Sequence, residues 1–137
     1  MVCASPLAFA DFSGKVIGIT DGDTITVLRE KTPVKIRLAD IDAPESAQPF
    51  GNRAKQTLSD LAFGKVVRVD ARGKDKYRRT LATIYIDDKN VNAEMVRLGM
   101  AWVYRKHAPK KPGLYRIESE AKLARRGLWA DSKPVPP

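Results

Sequence analysis

The order of strand-like and helix-like segments constrains the fold of this chain more than any other feature of its sequence. Five segments rich in β-branched residues predict strands, because Val, Ile and Thr pack well on a pleated, half-buried surface. Three of these segments precede any helical pattern, and Asp21 with Gly22 between the first two is typical of a hairpin turn. The predicted strands are residues 12 to 20, 23 to 30, 34 to 41, 65 to 71 and 80 to 87.

Helical spacing of apolar residues follows the third predicted strand and returns near the end of the chain. Residues 51 to 63 form the first predicted helix, a short helix capped by Asn92 runs through Leu98, and a last helix covers about residues 114 to 126. This order suits a small, partly open β-barrel with helices packed on it. The predicted fold class is therefore mainly β with α, a five-stranded OB-fold β-barrel with three helices.

The charge of the chain favours an anionic partner. Lys and Arg number 25 against 16 Asp and Glu, which gives a net charge of +9 over 137 residues. Such an excess is typical of nucleic-acid binding, although a merely soluble basic surface is an alternative. Acidic residues outnumber basic ones in residues 21 to 45, whereas residues 65 to 79 are strongly basic. No apolar run approaches the roughly 18 residues of a membrane span.

Cysteine and histidine usage excludes several kinds of site. Cys3 is the single cysteine and His107 the single histidine. An internal disulfide, a structural zinc site and any mechanism that needs two histidines are therefore excluded.

The N-terminal segment predicts export. The sequence Ala-Phe-Ala at positions 8 to 10 matches the A-x-A pattern of a secretory cleavage site, so residues 1 to 10 are interpreted as a signal-peptide remnant. This interpretation favours a secreted or periplasmic location, and an ordinary flexible N-terminus is the alternative. The predicted domain then spans residues 11 to 131, and residues 132 to 137 form a flexible tail.

Four carboxylates on two separate segments form the first candidate constellation. Asp21 and Asp23 flank the hairpin turn, whereas Asp42 and Glu45 directly follow the third predicted strand. They converge if the second and third strands pair. Close carboxylates raise one another's pKa unless a cation holds them together, and hard oxygen ligands favour Ca²⁺ or Mg²⁺. The alternative is that they cap turns and form solvated ion pairs with nearby Lys and Arg.

Two arginines extend this constellation. Alternation of apolar and polar residues in the third strand puts Arg37 on the face opposite the apolar one, and Arg79 directly precedes the fifth strand. A guanidinium group binds phosphate oxygens through two parallel hydrogen bonds and stays charged at any working pH. Arginines, a divalent ion and a free carboxylate are the groups needed for metal-assisted hydrolysis of a phosphodiester.

Motifs at four places on the chain, and a helix ending in "RRGLW", occur in the order of a known family. These motifs are "DGDT", "IRLADIDAPE", "DKYRRTLA" and "VNAEMVRLGMAWVY". With them, the chain resembles the staphylococcal nuclease (thermonuclease) family over about residues 12 to 131. The resemblance implies a five-stranded OB-fold with three helices, and cleavage of DNA and RNA with Ca²⁺ that leaves 3′-phosphate ends.

The resemblance also implies a role for each acidic position. The resemblance implies that Ca²⁺ is bound by Asp23, Asp42 and the backbone carbonyl of Ala43. It implies that Asp21 acts mostly through metal-bound water. It makes Glu45 the proposed general base for the attacking water.

For the basic positions, the resemblance implies contacts with phosphate. Arg37 and Arg79 hold the scissile phosphate and stabilise the charge that builds on its oxygens. Lys76 and Tyr77 match positions that contact the terminal phosphate of a bound nucleotide. The family usually has Gly where this chain has Arg78, so the backbone of this loop is expected to differ, and Arg78 is an alternative to Arg79 as the catalytic arginine.

The predicted function is a Ca²⁺-dependent endonuclease acting on DNA and RNA with little sequence preference, as a monomer without a membrane span. The alternative is a non-catalytic nucleic-acid-binding OB module, since this fold also hosts binders. Inactive modules of the family typically lose the acidic and arginine positions. The presence of Asp23, Arg37, Asp42, Glu45 and Arg79 favours the enzyme.

Overall fold

The computed structural model describes residues 11 to 105 and 111 to 130, so the predicted signal remnant, the tail and His107 lie outside the described residues. The strands are β1 (Phe12–Asp21), β2 (Thr24–Arg29), β3 (Thr32–Leu38), β4 (Ile41–Asp42), β5 (Val66–Lys74), β6 (Thr80–Ile86), β7 (Lys89–Asn90) and β8 (Trp102–Val103). The helices are α1 (Gly51–Ala62), α2 (Val91–Arg97) and α3 (Pro112–Leu123), with a final 3₁₀ turn, Gly127–Ala130. None of the helices within these described ranges is long and apolar enough to cross a lipid bilayer.

Five long strands form a closed barrel. The strands β3, β2, β1, β5 and β6 pair in that order and antiparallel, and β3 also pairs with β6 in parallel, which closes the sheet on itself. The inward faces carry the apolar residues that the strand alternation predicted, because successive side chains point to opposite sides of a strand. The predicted five-stranded OB-fold barrel with three helices is confirmed. Its fully buried interior includes Val16, Ile25, Val27, Ile36, Leu38, Val67, Val69 and Ile84.

The third strand is shorter than predicted. It was expected to run to residue 41, but β3 ends at Leu38 and a turn follows, in which Asp40 adopts a left-handed φ of 69°. A left-handed residue cannot continue a strand, so the chain changes direction and Ile41 and Asp42 pair with β8 instead. Buried Glu118 of α3 holds β8 in place by accepting a hydrogen bond from the Val103 N–H at 2.8 Å.

The predicted cap of the short helix is wrong by two residues. Asn90 caps α2, since its side chain accepts a hydrogen bond from the Ala93 N–H. Asn92 instead lies buried inside the helix, where its amide joins the Ile84 N–H to the carbonyls of Ala39 and Ala82. A buried amide needs partners for both its donor and its acceptor, so Asn92 ties α2 to β6 and to the turn after β3.

Close packing at two glycines brings the acidic segments together. A Cβ atom at Gly22 would lie 2.7 Å from the Cβ of Ala54 and 2.8 Å from the Cβ of Ala43, so the β1–β2 turn presses on both α1 and the segment after β4. A Cβ atom at Gly51 would lie 1.8 Å from the carbonyl oxygen of Glu45. The start of α1 therefore supports the loop that carries Glu45.

Candidate active site

Asp23 joins the hairpin turn to the segment after β4. Its side chain is buried, its Oδ2 accepts a hydrogen bond from the Ala43 N–H at 2.8 Å, and its Oδ1 accepts one from the Thr24 hydroxyl at 3.0 Å. Its own carbonyl accepts the Leu38 N–H at 2.8 Å. Asp23 is therefore held by contacts to three different parts of the chain.

Arg37 lies between two of the predicted metal-binding carboxylates. Its Nη2 atom is 3.2 Å from Asp42 Oδ1 and 3.4 Å from Asp23 Oδ2, and its side chain is only 12% exposed. Its Nη1 atom donates to the carbonyls of Leu38, at 2.7 Å, and Ile41, at 2.9 Å. The guanidinium group is therefore held in one orientation.

The acidic cluster carries more negative charge than Arg37 neutralises. Burial, followed by the neighbouring Asp23, raises the pKa of Asp21 from 3.8 to about 6. Burial also raises the pKa of Asp42 although Arg37 opposes the shift, and the charges of Glu45 and Asp21 add to it. All four predicted carboxylates therefore influence one another, which the convergence of the two segments requires. A cation among these carboxylates would relieve the repulsion between them.

Asp21→Asn is expected to stabilise the metal-free protein at pH 7, by on the order of 1 kcal/mol after allowance for the partial exposure of the side chain. A carboxyl group whose pKa is higher in the folded state opposes folding above that pKa and has no such effect below its ordinary pKa. The gain in the free energy of unfolding should therefore disappear as the pH falls from about 6 towards 3.8. Urea unfolding in EDTA at neutral and acidic pH measures it.

Asp60→Asn, which removes an exposed carboxylate from α1, is the control for Asp21→Asn. Asparagine keeps the side-chain oxygen that accepts the Asp23 N–H, so the hairpin turn remains intact in the Asp21 variant. An equal stabilisation at both pH values would show that the charge of Asp21 does not cause it.

The donor set fits a hard divalent cation that keeps part of its water shell. Asp23 and Asp42 supply carboxylate oxygens, and Ala43 lies beside them through its N–H contact with Asp23. Among the residues that the structure describes, no three His, Cys, Asp or Glu side chains are arranged to hold one ion together. Two carboxylates, a backbone carbonyl and water are a reasonable set for Ca²⁺, which takes six to eight oxygen ligands.

A cleft of about 390 Å³ opens beside this cluster. It contains both predicted catalytic arginines and both predicted substrate-binding residues, and its charged residues are mainly basic. A groove of this kind suits a phosphate-bearing ligand. The cleft is lined by Arg37, Lys74, Asp75, Lys76, Tyr77, Arg79, Leu81 and Tyr104.

Asp75 organises the basic loop at the mouth of this cleft. Its carboxylate accepts hydrogen bonds from the N–H groups of Tyr77, at 2.8 Å, and Arg79, at 2.9 Å, and from Arg79 Nε at 2.7 Å. Burial raises the pKa of Asp75, but these hydrogen bonds outweigh it and lower the pKa below the ordinary value. Because Nε is bound to Asp75, only the two Nη groups of Arg79 would be left to contact a phosphate.

Arg78 adopts a left-handed backbone at the position where the resembling family usually has Gly. Its φ is 64°, in the left-handed region, and its N–H donates to the Asp75 carbonyl at 3.1 Å. A glycine adopts this conformation at no steric cost, whereas other residues rarely do. A non-glycine residue in this region carries a cost of about 1 kcal/mol, which the hydrogen bonds to Asp75 offset.

Glu45 lies in an exposed loop, apart from the lining of the cleft. The loop is closed by hydrogen bonds of 2.8 Å, from the Glu45 N–H to the Gln48 side chain and from the Gln48 N–H to the Glu45 carbonyl. The carboxylate is near enough to Asp42 to raise its pKa. The structure therefore places Glu45 beside the acidic cluster with its side chain open to water.

Three residues near the site were not assigned roles from the sequence. Asp75 appeared only inside the motif "DKYRRTLA", although an acid four residues before a functional arginine was a signal for the pair. Tyr104 lines the cleft, where the sequence had not identified an aromatic residue. Asp40, within "IRLADIDAPE", lies buried in the turn between Arg37 and Asp42.

Comparisons with known proteins point in one direction. A family model described as staphylococcal nuclease homologue matches residues 35–131 of this chain. A protein from Shigella flexneri called micrococcal nuclease is 47% identical over 134 residues, which cover 90% of this chain and 77% of that protein. Protein ParB from Escherichia coli is 47% identical over 147 residues, which cover all of this chain and 82% of that protein.

The description of a further relative also states an activity. A protein from Escherichia coli O157:H7, described as an uncharacterized endonuclease, is 43% identical over 133 residues, which cover 96% of this chain and 86% of that protein. The similarity therefore extends over the acidic segments and the basic cleft, and is not confined to the barrel core.

Proposed function

We propose a Ca²⁺-dependent endonuclease activity for this chain, which belongs to the staphylococcal nuclease family. Its substrates are DNA and RNA, cleaved with little sequence preference to leave 3′-phosphate ends. The observation that best supports the proposal is Arg37, held against Asp23 and Asp42 at one end of a basic cleft. If Arg37, Asp23 and Asp42 formed only a structural ion-pair network, they would not need a basic cleft beside them.

Arg37 and Arg79 act on the scissile phosphate in this proposal. Both line the same cleft. Arg79 is held through Nε by Asp75, and Arg37 is held through Nη1 by two backbone carbonyls and through Nη2 by Asp23 and Asp42, so little side-chain freedom is lost on binding. Fixed guanidinium groups stabilise charge that increases on the phosphate oxygens in the transition state. Asp75 fixes the direction of Arg79, since its carboxylate accepts hydrogen bonds from the Arg79 N–H and Nε–H.

Glu45 accepts the proton of the attacking water in this proposal. An exposed carboxylate is accessible to water and is mobile enough to transfer a proton. Asp23, Asp42 and the carbonyl of Ala43 would hold Ca²⁺, which supplies a polarised phosphate and a water of lowered pKa. Lys76 and Tyr77, whose ammonium group and ring lie 5.2 Å apart, contact the terminal phosphate.

The proposal predicts that removing metal stops turnover. Activity on single-stranded DNA, duplex DNA and RNA should fall by about a hundredfold or more in EDTA and return with Ca²⁺, since such an ion contributes several kcal/mol. Gel analysis of labelled oligonucleotides measures cleavage, and phosphatase treatment before end-labelling identifies a 3′-phosphate. Circular dichroism in EDTA is the control for unfolding.

Two results would reject parts of the proposal. Undiminished digestion in chelator would remove the metal from the mechanism. Tight binding of all three nucleic acids with no cleavage in Ca²⁺ would instead support the non-catalytic binding module. Because binding through phosphates releases counterions, affinity should also fall steeply with salt in either case.

Export and a monomeric state remain predictions. The proposed cleavage pattern lies in residues 1 to 10, outside the described part of the chain. Fractionation of cells that express the full-length gene tests the location, and sedimentation tests the oligomeric state.

A further inference from the structure

The turn between β3 and β4 contains an ion pair whose carboxylate is buried and whose guanidinium is partly exposed. The side chain of Asp40 is only 5% exposed, and its Oδ2 lies 2.7 Å from Arg72 Nη2 and 4.0 Å from Lys111 Nζ. Arg72 also donates to the Thr83 hydroxyl on β6. Because a buried carboxylate without a partner is costly, Arg72 fixes the position of Asp40 relative to β5 and β6.

The backbone of Asp40 is under strain that these contacts oppose. Its φ of 69° lies in the left-handed region, which is unfavourable for residues other than glycine. The turn is further held by hydrogen bonds of 2.8 Å from the Tyr104 N–H to the Asp40 carbonyl and from the Ala39 N–H to the Ala82 carbonyl. The turn therefore has one conformation, imposed from several neighbouring elements.

Arg37 is bound to both sides of this turn. Its Nη1 atom donates to the carbonyls of Leu38 and Ile41, which bracket Ala39 and Asp40. The distance and direction between these two carbonyls depend on the left-handed conformation of Asp40. A change in the turn must therefore move the guanidinium group of Arg37 and also Asp42, the next residue but one after Asp40.

We infer that Asp40 and Arg72 are a positioning pair, which sets the orientation of Arg37 and Asp42 without touching substrate. The inference rests on the proposed nuclease function of the same site. The pair contributes to turnover by holding the reacting groups in place, and contributes little to substrate binding. Displacement of catalytic groups by about 1 Å is enough to reduce rates by two orders of magnitude.

Asp40→Asn and Arg72→Met test the inference. Asparagine tolerates the left-handed conformation and nearly preserves the shape of aspartate, so it removes little except the charge. We expect kcat on a single-stranded oligonucleotide to fall about 10- to 100-fold in either variant, with KM changed much less. The double variant should be no worse than the single ones, because both remove the same interaction. Arg72→Lys should restore part of kcat.

Arg68→Met is the matched control. Arg68 lies on the same strand, in an ion pair 3.1 Å from Asp11, and its guanidinium lies over the ring of Tyr85. Arg68→Met removes one positive charge from the protein, as Arg72→Met does, so both variants lose the same amount of electrostatic attraction for nucleic acid. We expect Arg68→Met to keep the kcat of the parent.

A second measurement does not depend on activity. Nitrogen-15 spectra of arginine side chains report how freely each guanidinium rotates, and Arg37→Lys assigns the Arg37 signals. We expect restricted rotation of Arg37 in the parent and in Arg68→Met, and faster rotation in Asp40→Asn and Arg72→Met. Urea unfolding of every variant shows what fraction is folded under assay conditions.

The outcomes separate the two proposals. A parent chain with no nuclease activity would reject the proposed function, while the Arg37 spectra would still decide the positioning role. An active parent whose Asp40 and Arg72 variants keep both kcat and the Arg37 spectrum would overturn the inference. A loss of activity fully explained by the unfolded fraction would overturn it too, since the pair would then be only structural.

Discussion

Arg37→Gln is expected to lower kcat by about three orders of magnitude in saturating Ca²⁺ while the barrel stays folded. Glutamine has no charge and cannot supply the guanidinium that opposes negative charge on the phosphate in the transition state. It also leaves Asp23 and Asp42 without their shared cation, because both contact the same Nη2 atom. Steady-state kinetics on single-stranded DNA gives kcat, and urea unfolding gives the free energy of unfolding.

Two variants test the cause of the Arg37 effect. Arg37→Lys keeps the charge but not the planar fork, so it should recover only a small part of kcat. Arg116→Gln removes an exposed charge from α3 and should leave kcat near that of the parent. If Arg37→Gln retained more than about a tenth of the parental kcat, the proposed contact of Arg37 with the transition state would be wrong.

Glu45→Gln is expected to reduce kcat by about 10²- to 10⁴-fold, the usual contribution of a general base. The side chain is exposed and its loop is held by backbone contacts with Gln48, so the fold should not change. Because the variant lacks the proposed base, its dependence of rate on pH should differ from that of the parent. A pH–rate profile at saturating Ca²⁺ measures both effects.

The control for Glu45→Gln is Glu30→Gln. Glu30 is an exposed carboxylate at the β2–β3 turn, away from the acidic cluster, and its replacement changes the net charge equally. Near-parental kcat and an unchanged pH profile in Glu45→Gln would assign the proton transfer to another group. Equal losses in both variants would point to a general effect of charge.

The barrel and the acidic cluster were predictable because their signals are local. Alternation of apolar and polar residues fixes which face of β3 is buried, so the outward position of Arg37 followed directly. The pairing of β2 with β3 then placed Asp23 near the end of β3, where its carbonyl accepts the Leu38 N–H. The motif that contains Asp23 and the motif that contains Asp42 thus predicted a common site, although they lie on separate segments.

Contacts between distant segments were not predictable in the same way. Nothing near Asp40 in the sequence indicates Arg72 as its partner, and an acid after a buried strand is usually expected to face water. The helix cap was predicted at Asn92 instead of Asn90 for the same reason. Burial of the Asn92 amide depends on carbonyls from β6 and from the turn after β3. Both arrangements depend on long-range packing that residue patterns do not encode.

The parallel pairing of β3 with β6 has a consequence for how activity arises during folding. It sets Arg37 beside Leu81 and so brings Arg37 into the cleft with Arg79, which directly precedes β6. Contacts between such distant segments are slow to form, because a long loop must close first. A chain still emerging from the ribosome therefore lacks the assembled site. If the proposed function is right, cleavage of nucleic acid can begin only after the barrel has closed.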